Sequence, residues 1–326
     1  LVINSNEIKI LFFIHIPKTA GTSFRKAAED YYGLEHVCYD YAPHSRETSA
    51  IVIQNVYEKK DHFSFLNKLN ENSIEFLSGH VNANKYIDIL GARNSVVFMR
   101  DPIQRVLSEY NHFVRNFGYE DDFKSFYTKP PFINRLKRML SGVPIQAIGF
   151  VGLTENYSDS LNQINARYAT KIPNLELNKG RSQTSTPYEL DPEDLQVLEN
   201  LNQEDIELYR QCVELFDQRA VLWQSGKPYV HATLQQVSHK SLSGWAWWDI
   251  SDESVVVEVL VEDRVLGEAE AKDLRPGILR LGLPRLGYVG FHFQYPDELP
   301  TGTKLTCRVK ETGQVIGNVV LNDAVS

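Results

Sequence analysis

Leu11-Phe12-Phe13-Ile14-His15-Ile16-Pro17-Lys18-Thr19-Ala20-Gly21-Thr22-Ser23 passes from a buried strand to the start of a helix within one short stretch. Leu11 to Ile16 are largely apolar and read as a strand of a parallel sheet. Pro17 and Gly21 punctuate a tight turn, and Phe24 to Tyr32 has the composition of a helix. A strand that turns through small residues into a helix N-terminus aims several backbone N–H groups at one spot. The helix dipole adds partial positive charge there, so the spot attracts an anion. Lys18 adds a full charge, Thr19, Thr22 and Ser23 add hydroxyls, and Ala20 and Gly21 keep the turn narrow. The stretch reads as a phosphate or sulfate cradle.

The usual triphosphate loop, G-x-x-x-x-G-K-[ST], places its lysine after the second glycine. Here Lys18 precedes Gly21, and no Gly-Lys-Ser/Thr occurs. A second segment narrows the reading. Val96-Val97-Phe98-Met99 is a short apolar strand, followed by Arg100-Asp101-Pro102-Ile103-Gln104-Arg105-Val106-Leu107-Ser108-Glu109-Tyr110. Asp101 suits an N-cap and Pro102 the first helical position, so a helix starts here. Arg100 then stands at the carboxyl end of a strand, where open α/β sheets bind ligands. Asp101, Arg105, Ser108 and His112 share a helix face by spacing, which lets Arg100 and Ser108 converge on one anion. A nucleotide-hydrolysing enzyme would want an acid at such a strand end to help hold magnesium. An arginine suits a bare phosphate.

Both segments resemble motifs of sulfotransferases that use 3′-phosphoadenosine 5′-phosphosulfate (PAPS). Pro17 to Ser23 is similar to their 5′-phosphosulfate loop, and Arg100 to Tyr110 to their 3′-phosphate motif. The likeness is greatest to the heparan and dermatan uronyl 2-O-sulfotransferase branch. Phe76-Leu77-Ser78-Gly79-His80-Val81 is similar to that branch's Gly-His segment with its catalytic histidine, and Val151 to Glu155 to another of its stretches. The resemblance spans roughly residues 8–220 and is weakest at 35–75 and 115–145. It implies a P-loop-like parallel sheet flanked by helices and PAPS as co-substrate, with Arg100 and Ser108 as ligands of its 3′-phosphate. A basic loop late in the domain, here Asn178 to Ser185, would close over the nucleotide through Arg181 and Ser182; a plain solvated loop is the other reading.

Sulfuryl transfer needs a base at the acceptor hydroxyl, a cation at the bridging oxygen and in-line alignment of the two. Lys18 is placed to serve the bridge, and the amides of Thr19, Ala20, Gly21, Thr22 and Ser23, with the hydroxyls of the last two, to hold the 5′-phosphate. No metal is required, and no acidic metal cluster is evident. Histidine suits the base because its unperturbed pKa lies near neutrality. His80 follows the apolar run Ile74 to Leu77 and a glycine, which puts it at a strand's carboxyl end, and the family likeness falls on it. His15 lies inside the first strand and reads as structural. Glu109 is the alternative base. Lys129, Arg135, Lys137 and Arg138 read as a solvated helix face, with an anionic sugar as the other reading.

A net charge of −8 over 326 residues argues against a broad nucleic-acid or anionic-membrane surface, so anions must be met by local basic clusters. Cys38, Cys212 and Cys307 are few and far apart, with no zinc pattern and no disulfide framework. There is no run of eighteen apolar residues. These features point to a bacterial, cytoplasmic enzyme, with a Golgi lumen location open if an N-terminal anchor precedes Leu1.

Two domains are expected, 1–226 for PAPS binding and sulfuryl transfer and 227–326 as a smaller all-β sandwich. In the first, strands near 10–16, 74–78, 95–99 and 148–153 alternate with helices at Thr22–Tyr32, Pro102–Asn116, Ser158–Asn165 and Pro192–Leu215, the last split near Asn202. Beyond Ser225-Gly226-Lys227-Pro228, short strands at regular spacing include a hairpin over 255–269. Gly244-Trp245-Ala246-Trp247 and its neighbours resemble a β-sandwich module appended to bacterial glycan-modifying enzymes. Alternation puts Trp245 and Trp247 on one face and Trp248 on the other, so at least one set is core; sugar stacking is the competing reading. The function expected is sulfuryl transfer from PAPS to a hydroxyl of a saccharide or glycoconjugate. A P-loop small-molecule kinase and a non-catalytic glycan-binding protein are the alternatives.

Overall fold

The computed structural model describes residues 10–175 and 190–322. They form two compact units, one of residues up to Leu90 with Asn94–Phe216, the other of Gly91–Arg93 with Asp217 onward.

In the first unit, β1 (Leu11–Ile14), β2 (Val37–Asp40), β3 (Phe76–Gly79), β4 (Ser95–Met99) and β5 (Phe150–Leu153) form one parallel sheet in the order β2-β3-β1-β4-β5. All residues of β1, β3, β4 and β5 are buried, as strands covered on both faces must be. The helices are α1 (Gly21–Tyr32), α2 (Ala50–Val52), α3 (His62–Glu71), α4 (Asn84–Leu90), α5 (Pro102–Phe117), α6 (Phe123–Tyr127), α7 (Arg135–Met139), α8 (Tyr157–Tyr168), α9 (Pro192–Leu201) and α10 (Gln203–Gln224). Asp101 caps α5 by accepting from the Gln104 N–H at 2.8 Å, and Gly118 in the left-handed region ends it.

The register fixes what stands at the carboxyl end of the sheet. Ile14 pairs with Gly79, and Gly79 with Asp40. The His15 N–H donates to Gly79 O at 3.0 Å and the His80 N–H to Asp40 O at 3.1 Å, so Tyr41, His80 and His15 follow in one row across three strands. β2, which the sequence pattern does not reveal, is a four-residue edge strand ending in a carboxylate. Asp40 is nevertheless fully buried, satisfied by Tyr57 Oη at 2.7 Å, Tyr86 Oη at 2.6 Å and Lys85 Nζ at 2.5 Å.

The second unit holds two four-stranded antiparallel sheets. One runs β10 (Asp273–Leu274), β11 (Tyr288–Gln294), β7 (Ser241–Trp248), β6 (Val230–Val237); the other β13 (Val315–Val320), β12 (Lys304–Val309), β8 (Val256–Val261), β9 (Arg264–Glu270). They share one apolar core, with Val230, Leu242, Ala246 and Trp248 from the first and Val257, Val259, Leu305 and Cys307 from the second. Trp245 and Trp247 lie on the opposite face of β7, stacked with centroids 4.5 Å apart and exposed by only 0% and 1%. All three indoles are buried, so none presents a face to a sugar.

Gly79 is where β2 and β3 come closest, since a Cβ there would overlap the Asp40 carbonyl. The obstacle is the paired backbone of Asp40, which has little room to give. Gly79→Ala is expected to cost about 1–3 kcal/mol, as overpacking does, read as a lower urea midpoint by far-UV circular dichroism.

Candidate active site

The loop between β1 and α1 is built for close approach. Lys18 and Ala20, with φ of 69° and 62°, occupy the left-handed region that L-residues avoid. Thr19 is fully buried and its hydroxyl donates to Ile16 O at 2.9 Å, so it closes the turn rather than reaching outward. Gly21 opens α1 against the His15 ring, which a Cβ there would overlap. No side chain caps α1. The Ser23 N–H donates to Ala20 O at 3.1 Å, and Ser23 is buried in the first turn of α1.

Arg100 Nη1 donates to Lys18 O at 3.2 Å, so the end of β4 and the loop after β1 meet. Burial lowers the pKa of Lys18, and the charges of Arg115 and Arg100 lower it further, with Glu109 opposing. No carboxylate among the described residues forms an ion pair with Lys18. Cations brought together beside an uncapped helix N-terminus are the arrangement that an anion of high charge stabilises. Ser108 is buried on α5. His112, on the same helix, feels Lys18 and Arg115, and its pKa is lowered chiefly by burial. Arg181 and Ser182 lie outside the described residues.

His80 stands in the row fixed by the sheet register. Its ring is perpendicular to Tyr41 at 4.7 Å (83°) and tilted against His15 at 4.4 Å (67°). One side of the residue is exposed, while protein crowds the other. That desolvation, with the charges of Arg135 and Arg25, lowers its pKa to about 4, so the imidazole is neutral at pH 7. His15 is 5% exposed; burial holds its pKa well below the usual value, with His80, Arg25 and Lys18 adding to the effect.

Two arginines the sequence did not assign to the site thus act on His80, each held by carboxylates. Arg25 on α1 pairs with Glu47 and with Glu29, the latter at 3.4 Å, and lies 5.1 Å from the centre of the Tyr41 ring. Arg135 opens α7 and pairs with Glu109. The other oxygen of Glu109 takes Arg105 Nη1 at 2.6 Å, and Arg105 also donates to Phe132 O at 3.2 Å. With both oxygens committed to guanidinium groups, Glu109 positions Arg135 and is poorly placed to accept a substrate proton. Of the basic cluster at 129–138, Arg135 acts on His80. Lys129 bonds Tyr119 Oη at 2.8 Å, and Arg138 donates to Pro131 O at 2.5 Å. Asp205 from α10 fixes α7 by accepting from the N–H groups of Leu136 and Lys137 at 3.0 and 2.8 Å.

Two outcomes follow. Glu109→Gln leaves the fully buried Arg105 without its counter-charge and should cost about 3–5 kcal/mol, read by chemical unfolding. A histidine held neutral in the fold contributes stability that is complete above its unfolded pKa near 6.5. That stability is lost as pH falls below this value toward the folded pKa. The thermal midpoint should therefore drop between about pH 7 and about pH 5, and less steeply in His80→Gln.

Comparison with known proteins bears on the first unit. No curated protein matches the chain. A solved structure described as a sulfotransferase from Alicyclobacillus acidocaldarius is 15% identical, with a TM-score of 0.34 over 61% of this chain and 93% of that one. Residues 3–134, which carry the anion loop, His80 and the Arg100–Ser108 segment, match the model of the family described as "Sulfotransferase family".

Proposed function

We propose that the first unit is a PAPS-dependent sulfotransferase that moves a sulfuryl group to a hydroxyl of a saccharide or glycoconjugate, with His80 as base. The observation that carries the reading is the meeting of Lys18, Arg100 and the uncapped α1 N-terminus at the carboxyl end of the sheet, with a neutral histidine in the adjoining row. The family match over residues 3–134 supports it.

In this reading the α1 amides and the Thr22 and Ser23 hydroxyls hold the 5′-phosphate, and Arg100 and Ser108 the 3′-phosphate. Lys18 meets the negative charge that builds on the bridging oxygen as the sulfur–oxygen bond breaks, where a fixed cation in a dry site is most effective. His80 takes the proton from the acceptor hydroxyl as its oxygen bonds to sulfur. Its low pKa keeps the ring unprotonated and available. The neighbouring arginines supply no proton and compete for none, while their charge favours anionic groups in the site. A fold of bacterial and cytoplasmic origin accords with the unpaired, buried cysteines.

Calorimetry with 3′-phosphoadenosine 5′-phosphate is expected to show binding without magnesium and in preference to ATP; preference for Mg-ATP would favour a kinase. With a panel of saccharide acceptors and labelled PAPS, His80→Ala should lower kcat by about 10²–10⁴-fold, the usual worth of a general base. The bound nucleotide should be retained in that variant. A wild type that binds neither nucleotide sinks the proposal.

A further inference from the structure

His15 reads in the sequence as a strand residue facing the core, yet its ring touches both halves of the site. On one side it covers Gly21, where a Cβ would overlap its Cδ2 and Nε2. On the other it abuts His80 at 4.4 Å between centroids. Its Nδ1 is 2.8 Å from Tyr41 Oη, which in turn lies 3.1 Å from Ser78 Oγ, so Tyr41 fixes the ring's rotation and walls the base from a second side. Phe13 stacks behind it at 5.2 Å. The groups facing this pair are Lys18 from the loop, Arg25 from α1, Arg135 from α7 and Glu47 beyond β2.

We propose that His15 is a positioning residue whose ring is the spacer between the anion loop and His80, setting their separation and hence the alignment of donor and acceptor. The assignment rests on the sulfotransferase reading above. The logic is steric. The ring is packed between a loop that cannot move inward, because Gly21 already touches it, and the imidazole of His80, which Tyr41 borders at 4.7 Å. In-line transfer is sensitive to this distance, since a displacement of about 1 Å costs on the order of 10²-fold in rate. His15 touches no reacting atom in this scheme; it acts through the position of His80.

The test separates ring volume from chemistry. His15→Gln removes the ring, and His15→Phe keeps it while losing the bond to Tyr41. For His15→Gln, kcat is expected to fall about 10–100-fold with the affinity for 3′-phosphoadenosine 5′-phosphate little changed, and His15→Phe should restore most of the loss. Unchanged kcat in His15→Gln, no rescue by Phe, or an affinity that falls in step with kcat overturns the proposal. Gly21→Ala provides a readout that needs neither turnover nor a stable His15→Gln protein. Its added methyl must push the His15 ring, so the Cε1–H resonance of His80 should shift in the NMR spectrum. A stationary His80 signal overturns the spacer. Failure of the wild type to bind the nucleotide at all would instead sink the sulfotransferase reading, leaving the Gly21→Ala result to judge His15.

Discussion

Parallel pairing of Ile14 with Gly79 and of Gly79 with Asp40 is the constraint from which the site follows. In a parallel sheet, successive strands deliver their next residues side by side at the carboxyl end, and here those residues are His15, His80 and Tyr41. A shift of one position in the first pairing would turn the two imidazoles toward opposite faces, and in the second it would turn Tyr41 away from His80. Gly79 permits the close approach of β2 that completes the row, and Gly21 permits α1 to start against its inner edge. Two glycines, neither with positive φ, are thus required for what they lack in volume.

Charge is arranged around that row by anchoring cations from outside. The chain carries a formal net charge of −8, yet Lys18, Arg25, Arg100, Arg115 and Arg135 all act on the loop and the two histidines. Arg25 and Arg135 are held by Glu29, Glu47 and Glu109, which preorganises the guanidinium groups. Burial first, and then the like charges of Arg115 and Arg100, lower the pKa of Lys18. With their pKa values lowered, His15 and His80 add no charge of their own to this concentration of positive charge at pH 7.

The sheet, its loop and the α5 helix were legible because their signals are local: an apolar run, a turn with small residues, an Asp-Pro helix start. The parallel pairing of the sheet and its helical flanks agree with that reading. What stayed hidden depends on register and long-range packing. β2 is short, polar at its end and buried by partners from Tyr57, Lys85 and Tyr86. Arg135 lies in a stretch whose helix is five residues long, and only Glu109 and Asp205, distant in sequence, bring it to the site. Helical spacing put Arg105 on a face with Ser108; its guanidinium is instead fully buried against Glu109 and the Phe132 carbonyl. His15 was read from its own strand, whereas its contacts are made across two others.

The placement of the tryptophans has an optical consequence. All four, Trp223, Trp245, Trp247 and Trp248, fall in the second unit, and the last three are sequestered from solvent. Indole emission from this protein is therefore a reporter for the antiparallel sheets, and the sheet that carries the anion loop is spectrally silent at those wavelengths. The chain's sixteen tyrosines, all but Tyr229, Tyr288 and Tyr295 in the first unit, include Tyr41, within 5 Å of His80. That makes phenol absorbance the natural colour of events in the first unit.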